Sequence, residues 1–126
     1  MVTPTLLIVD DILINRMLLS EIAKEIGCNY ITANNGKEAI EQLNKSKFDI
    51  VLMDIEMPVM NGLETTKFIR TKMKKPLSEI PIVALTAHNP NDFFEEFSSA
   101  GFNELITKPY LINKIKSLIL KFYKEQ

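Results

Sequence analysis

The stretch FDIVLMDIEMPVMNG, Phe48 to Gly62, decides the fold. Within it Ile50, Val51, Leu52 and Met53 form a short unbroken apolar run, the pattern of a strand covered on both faces of a parallel sheet. The run ends on Asp54. Pro58 cannot extend a strand ladder and Gly62 lets the chain turn into a helix, so Asp54 stands where a buried strand emerges. In open α/β sheets that edge is where ligands bind. Taken alone, an aspartate here serves equally well as a loop cap, and the choice depends on what the other strands deliver.

Toward the N-terminus, Thr5 to Val9 reads as a buried strand closed by Asp10 and Asp11. From Ile14 the apolar residues Met17, Leu18, Ile22 and Ile26 recur at helical steps, and Gly27 ends that helix. Asn29 to Ala33 is a second short strand, followed by a helix with Ala39, Ile40 and Leu43 inward. Beyond Gly62, a helix carries Leu63, Thr66 and Ile69 to about Arg70, and a basic connection leads to a strand from Pro81 to Leu85 that ends at Thr86. A fourth helix opens at Pro90 with Phe93, Phe94, Phe97 and Ala100 near one stripe, and stops at Gly101. Glu104 to Thr107 is the fifth strand, closed by Lys108 and Pro109. The last helix turns Ile112, Ile115, Leu118, Ile119 and Phe122 inward and Lys114, Lys116, Lys121 and Lys124 outward.

Five alternations of strand and helix predict an α/β fold with a five-stranded parallel sheet and helices on both faces. A switch in winding direction gives the flavodoxin-like, doubly wound order 2-1-3-4-5. The 126 residues suit one domain, 1–126, that buries roughly two-thirds of its unfolded surface. A formal net charge of −1 draws the chain neither to nucleic acid nor to an anionic membrane. Cys28 stands alone, which excludes an internal disulfide and a cysteine zinc cage and suits the cytoplasm. The apolar runs are too short to span a membrane, and MVTPTLLIVDD lacks the marks of an export signal.

In that strand order, Asp10 and Asp11, Asp54, Thr86 and Lys108 stand at the ends of adjacent strands, where their side chains converge. Three crowded carboxylates repel one another in a low-dielectric cleft unless a cation intervenes. An oxygen-rich set of this kind suits Mg²⁺. The plain alternative is a row of unrelated loop residues.

The spacing Asp10-Asp11, Asp54, Thr86 and Lys108-Pro109, with MPVMNG after Asp54 and PIVALTA leading through Thr86, resembles the receiver domains of two-component response regulators. The resemblance covers essentially the whole chain, and MPVMNG and ALTA look like receivers of hybrid histidine kinases or phosphorelays. It implies that Asp54 accepts a phosphoryl group from a phosphohistidine on a histidine kinase or a histidine phosphotransfer domain. It also implies that Asp11, Asp54 and the backbone carbonyl of Glu56 bind Mg²⁺, with Asp10 acting through a metal-bound water. Lys108, and Thr86 with the Ala87 N–H, would neutralise further phosphoryl oxygens, and the Lys108–Pro109 bond would be cis. Phosphoryl transfer depends on positioning and charge neutralisation more than on covalent work by the protein, which is what such a set supplies.

By the same resemblance, phosphorylation switches the face made by the fourth helix, fifth strand and last helix, which also serves a weak dimer if the domain is not monomeric. An aromatic residue usual three positions before the lysine is Leu105 here, so the switch is expected to be weaker or differently read. Glu56 and His88 flank the path of hydrolytic water in that family, and His88 either orients this water or is simply exposed. A stand-alone regulator and an excised receiver of a hybrid kinase read alike, and the sequence does not name the effector.

A phosphatase of the haloacid-dehalogenase type would need Asp-x-Asp at the first strand, whereas the strand ends Asp10-Asp11-Ile12. A flavodoxin-type phosphate cradle is excluded because DDILIN has neither glycines nor hydroxyls. The basic group Lys67, Arg70, Lys72, Lys74 and Lys75 falls at a helix C-terminus without interleaved aromatics and reads as a solvated face, not a nucleic-acid site. Met53, Met57 and Met60 read as packing residues, since a thioether is a poor ligand for Mg²⁺.

Overall fold

The apolar runs become the strands of one parallel sheet in a computed structural model that describes residues 3–87 and 99–124. The strands are β1 (Thr5–Val9), β2 (Asn29–Ala33), β3 (Ile50–Asp54), β4 (Ile82–Thr86) and β5 (Glu104–Thr107), in the order β2-β1-β3-β4-β5. Among the described residues the helices are α1 (Leu13–Ile26), α2 (Gly36–Lys45), α3 (Gly62–Lys72) and a C-terminal helix (Ile112–Lys124), with a 3₁₀ turn at Leu77–Glu79. The doubly wound α/β fold expected from the sequence is the fold observed.

Strand side chains alternate between faces, and that alternation sorts the core into two layers. Leu6, Ile8, Leu52 and Leu85 face one way and pack with Leu19 and Ile22 of α1 and Ile115 and Ile119 of the C-terminal helix. Leu7, Val9, Val51 and Met53 face the other way and pack with Ala39 and Leu43 of α2 and Ile69 of α3. β3 and β4 are buried along their whole length, as a strand covered on both sides must be. Helix entry is fixed locally. The Asn35 side chain accepts the Glu38 N–H, and Asn61 and Glu64 exchange side-chain and backbone bonds in a capping box. None of the described helices is long and apolar enough to cross a membrane.

Three expectations are corrected. Ile14, Met17 and Leu18 do not line the core: α1 buries Leu19, Ile22 and Ala23, and the earlier apolar residues are exposed. At about 100° per residue, Leu13, Ile14 and Met17 fall on the side of the helix opposite Leu19, Ala23 and Ile26, so α1 is apolar on two faces and the sheet covers one. Ile112 is likewise exposed, at the first turn of its helix. Of the fourth helix, Ser99 and Ala100 are helical and Gly101 follows with φ +100°; Phe93, Phe94, Phe97 and His88 lie outside the described residues.

Arg70 is the third correction. It is a strut rather than part of a solvated face. Its Nε donates to the Gly101 carbonyl at 2.9 Å, Nη1 to Ser78 O at 3.0 Å and Ile80 O at 2.7 Å, and Nη2 to Asn103 Oδ1 at 2.7 Å. Asn103 Oδ1 also accepts the Ile82 N–H at 2.8 Å. One guanidinium thereby joins the end of α3 to the entries of β4 and β5, and burial pushes its pKa down. A Cβ on Gly101 would stand 2.9 Å from Arg70 Cγ, so the glycine is required by both space and backbone sign. Replacing Arg70 with Met is expected to destabilise the protein by about 2–4 kcal/mol in urea titration, because half-buried carbonyls lose their donors, with Arg70→Lys recovering only part. An unchanged midpoint would show these bonds to be dispensable.

Candidate functional site

The parallel register sets the strand ends in a row. Val9 pairs with Met53, so one step on Asp10 stands beside Asp54; Asp54 pairs with Leu85, and Thr86 pairs with Thr107. The Lys108 N–H donates to Thr86 O at 2.8 Å, which fixes the lysine backbone beside the buried threonine. The Lys108–Pro109 peptide is cis.

The acids converge. One carboxylate oxygen from each of Asp10, Asp11 and Asp54 lies within 4.8 Å of the others. Asp10 is wholly buried: its Oδ1 accepts the Ile12 N–H at 2.9 Å and Asn15 Nδ2 at 3.5 Å, while its Oδ2 is buried with no partner among the described residues. Arg16 Nη1 holds the Asp10 carbonyl at 2.9 Å. Asp11 is exposed and Asp54 is 4% exposed. Lys108 Nζ stands 3.7 Å from Asp54 Oδ1. Burial, and then the charge of Asp10, push the Asp54 carboxyl up to about 6, against the pull of Lys108 and the Glu56 N–H. Burial also holds Asp10 above the usual carboxylate range.

The loop between β3 and α3 is packed so tightly that two glycines are dictated by space rather than by turning. A Cβ on Gly62 would lie 2.4 Å from the Asp54 carbonyl oxygen, and one on Gly36 would lie 1.8 Å from Thr65 Oγ1 and 2.8 Å from the Met60 carbonyl. The Gly62 N–H donates to Ile55 O at 2.8 Å, clamping the chain just past Asp54. At the crown of this loop Val59, a β-branched residue, is held at φ 70°.

The donor set fits a hard divalent cation. It is all oxygen, it crowds negative charge that a dication would relieve, and it includes the buried Asp10 Oδ2, which has no partner among the described residues. A second groove, of about 600 Å³ and lined by Leu43, Phe48, Leu77 and Ile80, opens near the beginnings of β3 and β4, and none of the site residues lines it.

A family model for the response regulator receiver domain matches residues 6–120. The chain belongs to the response regulator receiver family. Hybrid signal transduction histidine kinase A of Dictyostelium discoideum is 35% identical over 118 residues, covering 92% of this chain and 6% of that protein. The chain spans 16% or less of the length of the first curated relatives it matches. The response regulator TrrA of Thermotoga maritima, solved in complex with Mg²⁺ and BeF, superposes with a TM-score of 0.83 at 32% identity, covering 95% of this chain and 99% of that one. The receiver domain of Ssk1 from Saccharomyces cerevisiae, solved with the histidine phosphotransfer protein Ypd1, superposes with a TM-score of 0.83 at 28% identity, over 95% of this chain and 88% of that chain. This receiver is thus a signalling domain of two-component signal transduction, similar to those of hybrid histidine kinases.

Several features at the site escape a sequence reading. Ile12, Leu13, Ile14, Met17 and Leu18 make an exposed apolar patch that starts immediately after Asp11, and Leu111 and Ile112 are exposed just beyond the lysine. The doubled helical periodicity of LINRMLLSEIAKEI is the signal that could have revealed the patch. Tyr110, half-buried beside Lys108, carries no sequence mark at all.

Because the folded protein holds the Asp54 proton more tightly than an unfolded chain, the metal-free receiver loses stability as pH rises from about 4 through about 6. Asp54→Asn removes that penalty. Urea unfolding in chelator at pH 7.5 is expected to show the variant more stable by about 1–3 kcal/mol, with the difference vanishing below about pH 4. A wild type equally stable at both pH values relative to the variant would contradict the buried, repelled carboxylate.

Proposed function

We propose that Asp54 is the phosphoacceptor of this receiver, charged by a phosphohistidine on a histidine kinase or a histidine phosphotransfer protein. An Asp54 carboxylate oxygen attacks phosphorus, the P–N bond to histidine breaks, and the imidazole leaves with the electron pair and is reprotonated, leaving an acyl phosphate. Asp10, Asp11, Asp54 and the Glu56 carbonyl would hold Mg²⁺, which when bound supplies charge neutralisation at a phosphoryl oxygen and draws Asp54 toward its ionised form. Lys108 neutralises a second oxygen as a point charge, and the Thr86 hydroxyl with the Ala87 N–H serves a third. In these roles residues 1–126 act as one unit that assists its own phosphorylation and dephosphorylation. The observation that supports the reading is the convergence of three carboxylates, with Lys108 beside Asp54 and a buried Asp10 oxygen that has no partner among the described residues.

The apolar patch at the start of α1 supports a docking role toward the phosphohistidine partner. It borders the acids directly, so a helix carrying the histidine could settle on Ile14, Met17 and Leu18 while its phosphoryl group reaches Asp54. Output is assigned to β5 and the C-terminal helix, where Leu105 is half-buried on the edge strand. Whether the domain works alone or as part of a hybrid kinase follows the same chemistry.

Incubation with phosphoramidate and Mg²⁺ is expected to add one phosphoryl group by intact mass, and Asp54→Asn is expected to add none; a variant still labelled would place the acceptor elsewhere. Ile14→Glu, at an exposed position, is expected to slow transfer from a phosphorylated histidine phosphotransfer protein by about tenfold or more while leaving phosphoramidate labelling intact. Equal loss with both donors would remove the docking role.

A further inference from the structure

Lys108 is held less firmly by Asp54 than its role demands. The 3.7 Å separation between Nζ and Asp54 Oδ1 is an ion pair well beyond the span of a charge-assisted hydrogen bond. A lysine ammonium on a four-carbon stem has many rotamers, so something else must keep it over the site. The Lys108 backbone is fixed through Thr86 O, but that leaves the side chain free to turn.

The ammonium also stands over the Tyr110 ring, 5.9 Å from its centroid. That ring is itself immobilised, because it packs against the core layer built from β1, β3, β4, α1 and the C-terminal helix. Its hydroxyl is buried and finds no partner among the described residues. What it offers the site is the negative face of its π system, which attracts a cation and cannot compete with phosphate for metal.

We infer that Tyr110 is a positioning residue for Lys108: its ring seats the ammonium beside Asp54, so the cation is in place when the phosphoryl group arrives. This rests on the reading of Asp54 as phosphoacceptor. A leucine at 110 would preserve the apolar packing but not the seat, and a phenylalanine would preserve both.

The test combines rate and geometry. With phosphoramidate and Mg²⁺, Tyr110→Leu is expected to slow labelling of Asp54 by about threefold to tenfold, while Tyr110→Phe stays within about twofold of wild type. In a Lys108→Ala background the further effect of Tyr110→Leu should disappear, which a purely structural role would not produce. Independently of phosphorylation, the Lys108 ε-methylene protons should show an upfield ring-current shift in wild type and Tyr110→Phe that is lost in Tyr110→Leu. Tyr110→Met serves if the leucine variant does not fold. An undiminished effect without Lys108, or no ring-current shift in wild type, would overturn the assignment. A wild type that accepts no phosphoryl group would instead overturn the phosphoacceptor reading, and the NMR measurement would still decide the seat.

Discussion

Two carboxylates held beside each other at the buried ends of β1 and β3 set the terms for the rest of this molecule. Asp10 is fully buried and Asp54 almost so, and the charge of Asp10 adds to burial in raising the hold of Asp54 on its proton. Asp11 adds to the repulsion, and other neighbours oppose it: the Ile12 N–H and Asn15 on Asp10, the Glu56 N–H on Asp54, and Lys108 across the gap. The remaining imbalance is a few kcal/mol, small beside what the sheet gains. Each fully buried leucine or isoleucine contributes about 1.5–3 kcal/mol, and β1, β3 and β4 alone supply many. A core sealed on both faces is what lets a receiver keep a destabilised cluster at one edge.

The parts of the fold that were legible in the sequence are those where only one physical solution exists. Runs such as IVLMD and IVALT, covered on both sides, read as parallel strands because no exposed face interrupts them. Once the strand order followed, Asp10, Asp54 and Lys108 fell together, and the structure places them together. Elsewhere the sequence allowed two solutions. Helix α1 has apolar residues on both sides, so periodicity alone does not say which side meets the sheet, and Met17 and Leu18, read in one series with Ile22, are exposed. Arg70 sits among four lysines and reads like them; only the chain's return past the end of α3 supplies the carbonyls that make it a strut. Gly62 was legible as a glycine at a helix start, but not as a contact with the Asp54 carbonyl, because that distance joins an element to the backbone of the one before it.

Charge and apolar surface meet within one short segment, DDILIN, and the pairing has a physical logic. A phosphoryl donor is anionic, so its approach to Asp10, Asp11 and Asp54 is repulsive until a cation and Lys108 answer the charge. In the proposed transfer, the acids themselves therefore do not attract the donor. On the proposed docking role, exposed Leu13, Ile14, Met17 and Leu18 would provide attraction of a different kind, insensitive to the sign of the phosphoryl group and undiminished by salt. Because α1 begins at Leu13, just after the acids, a donor docked there as proposed would meet Asp54 from a distance and angle set by the helix. In the proposed function, affinity from the helix and chemistry from the strand ends would thus be separable in energy but joined in geometry, because only Ile12 stands between Asp11 and the first residue of α1.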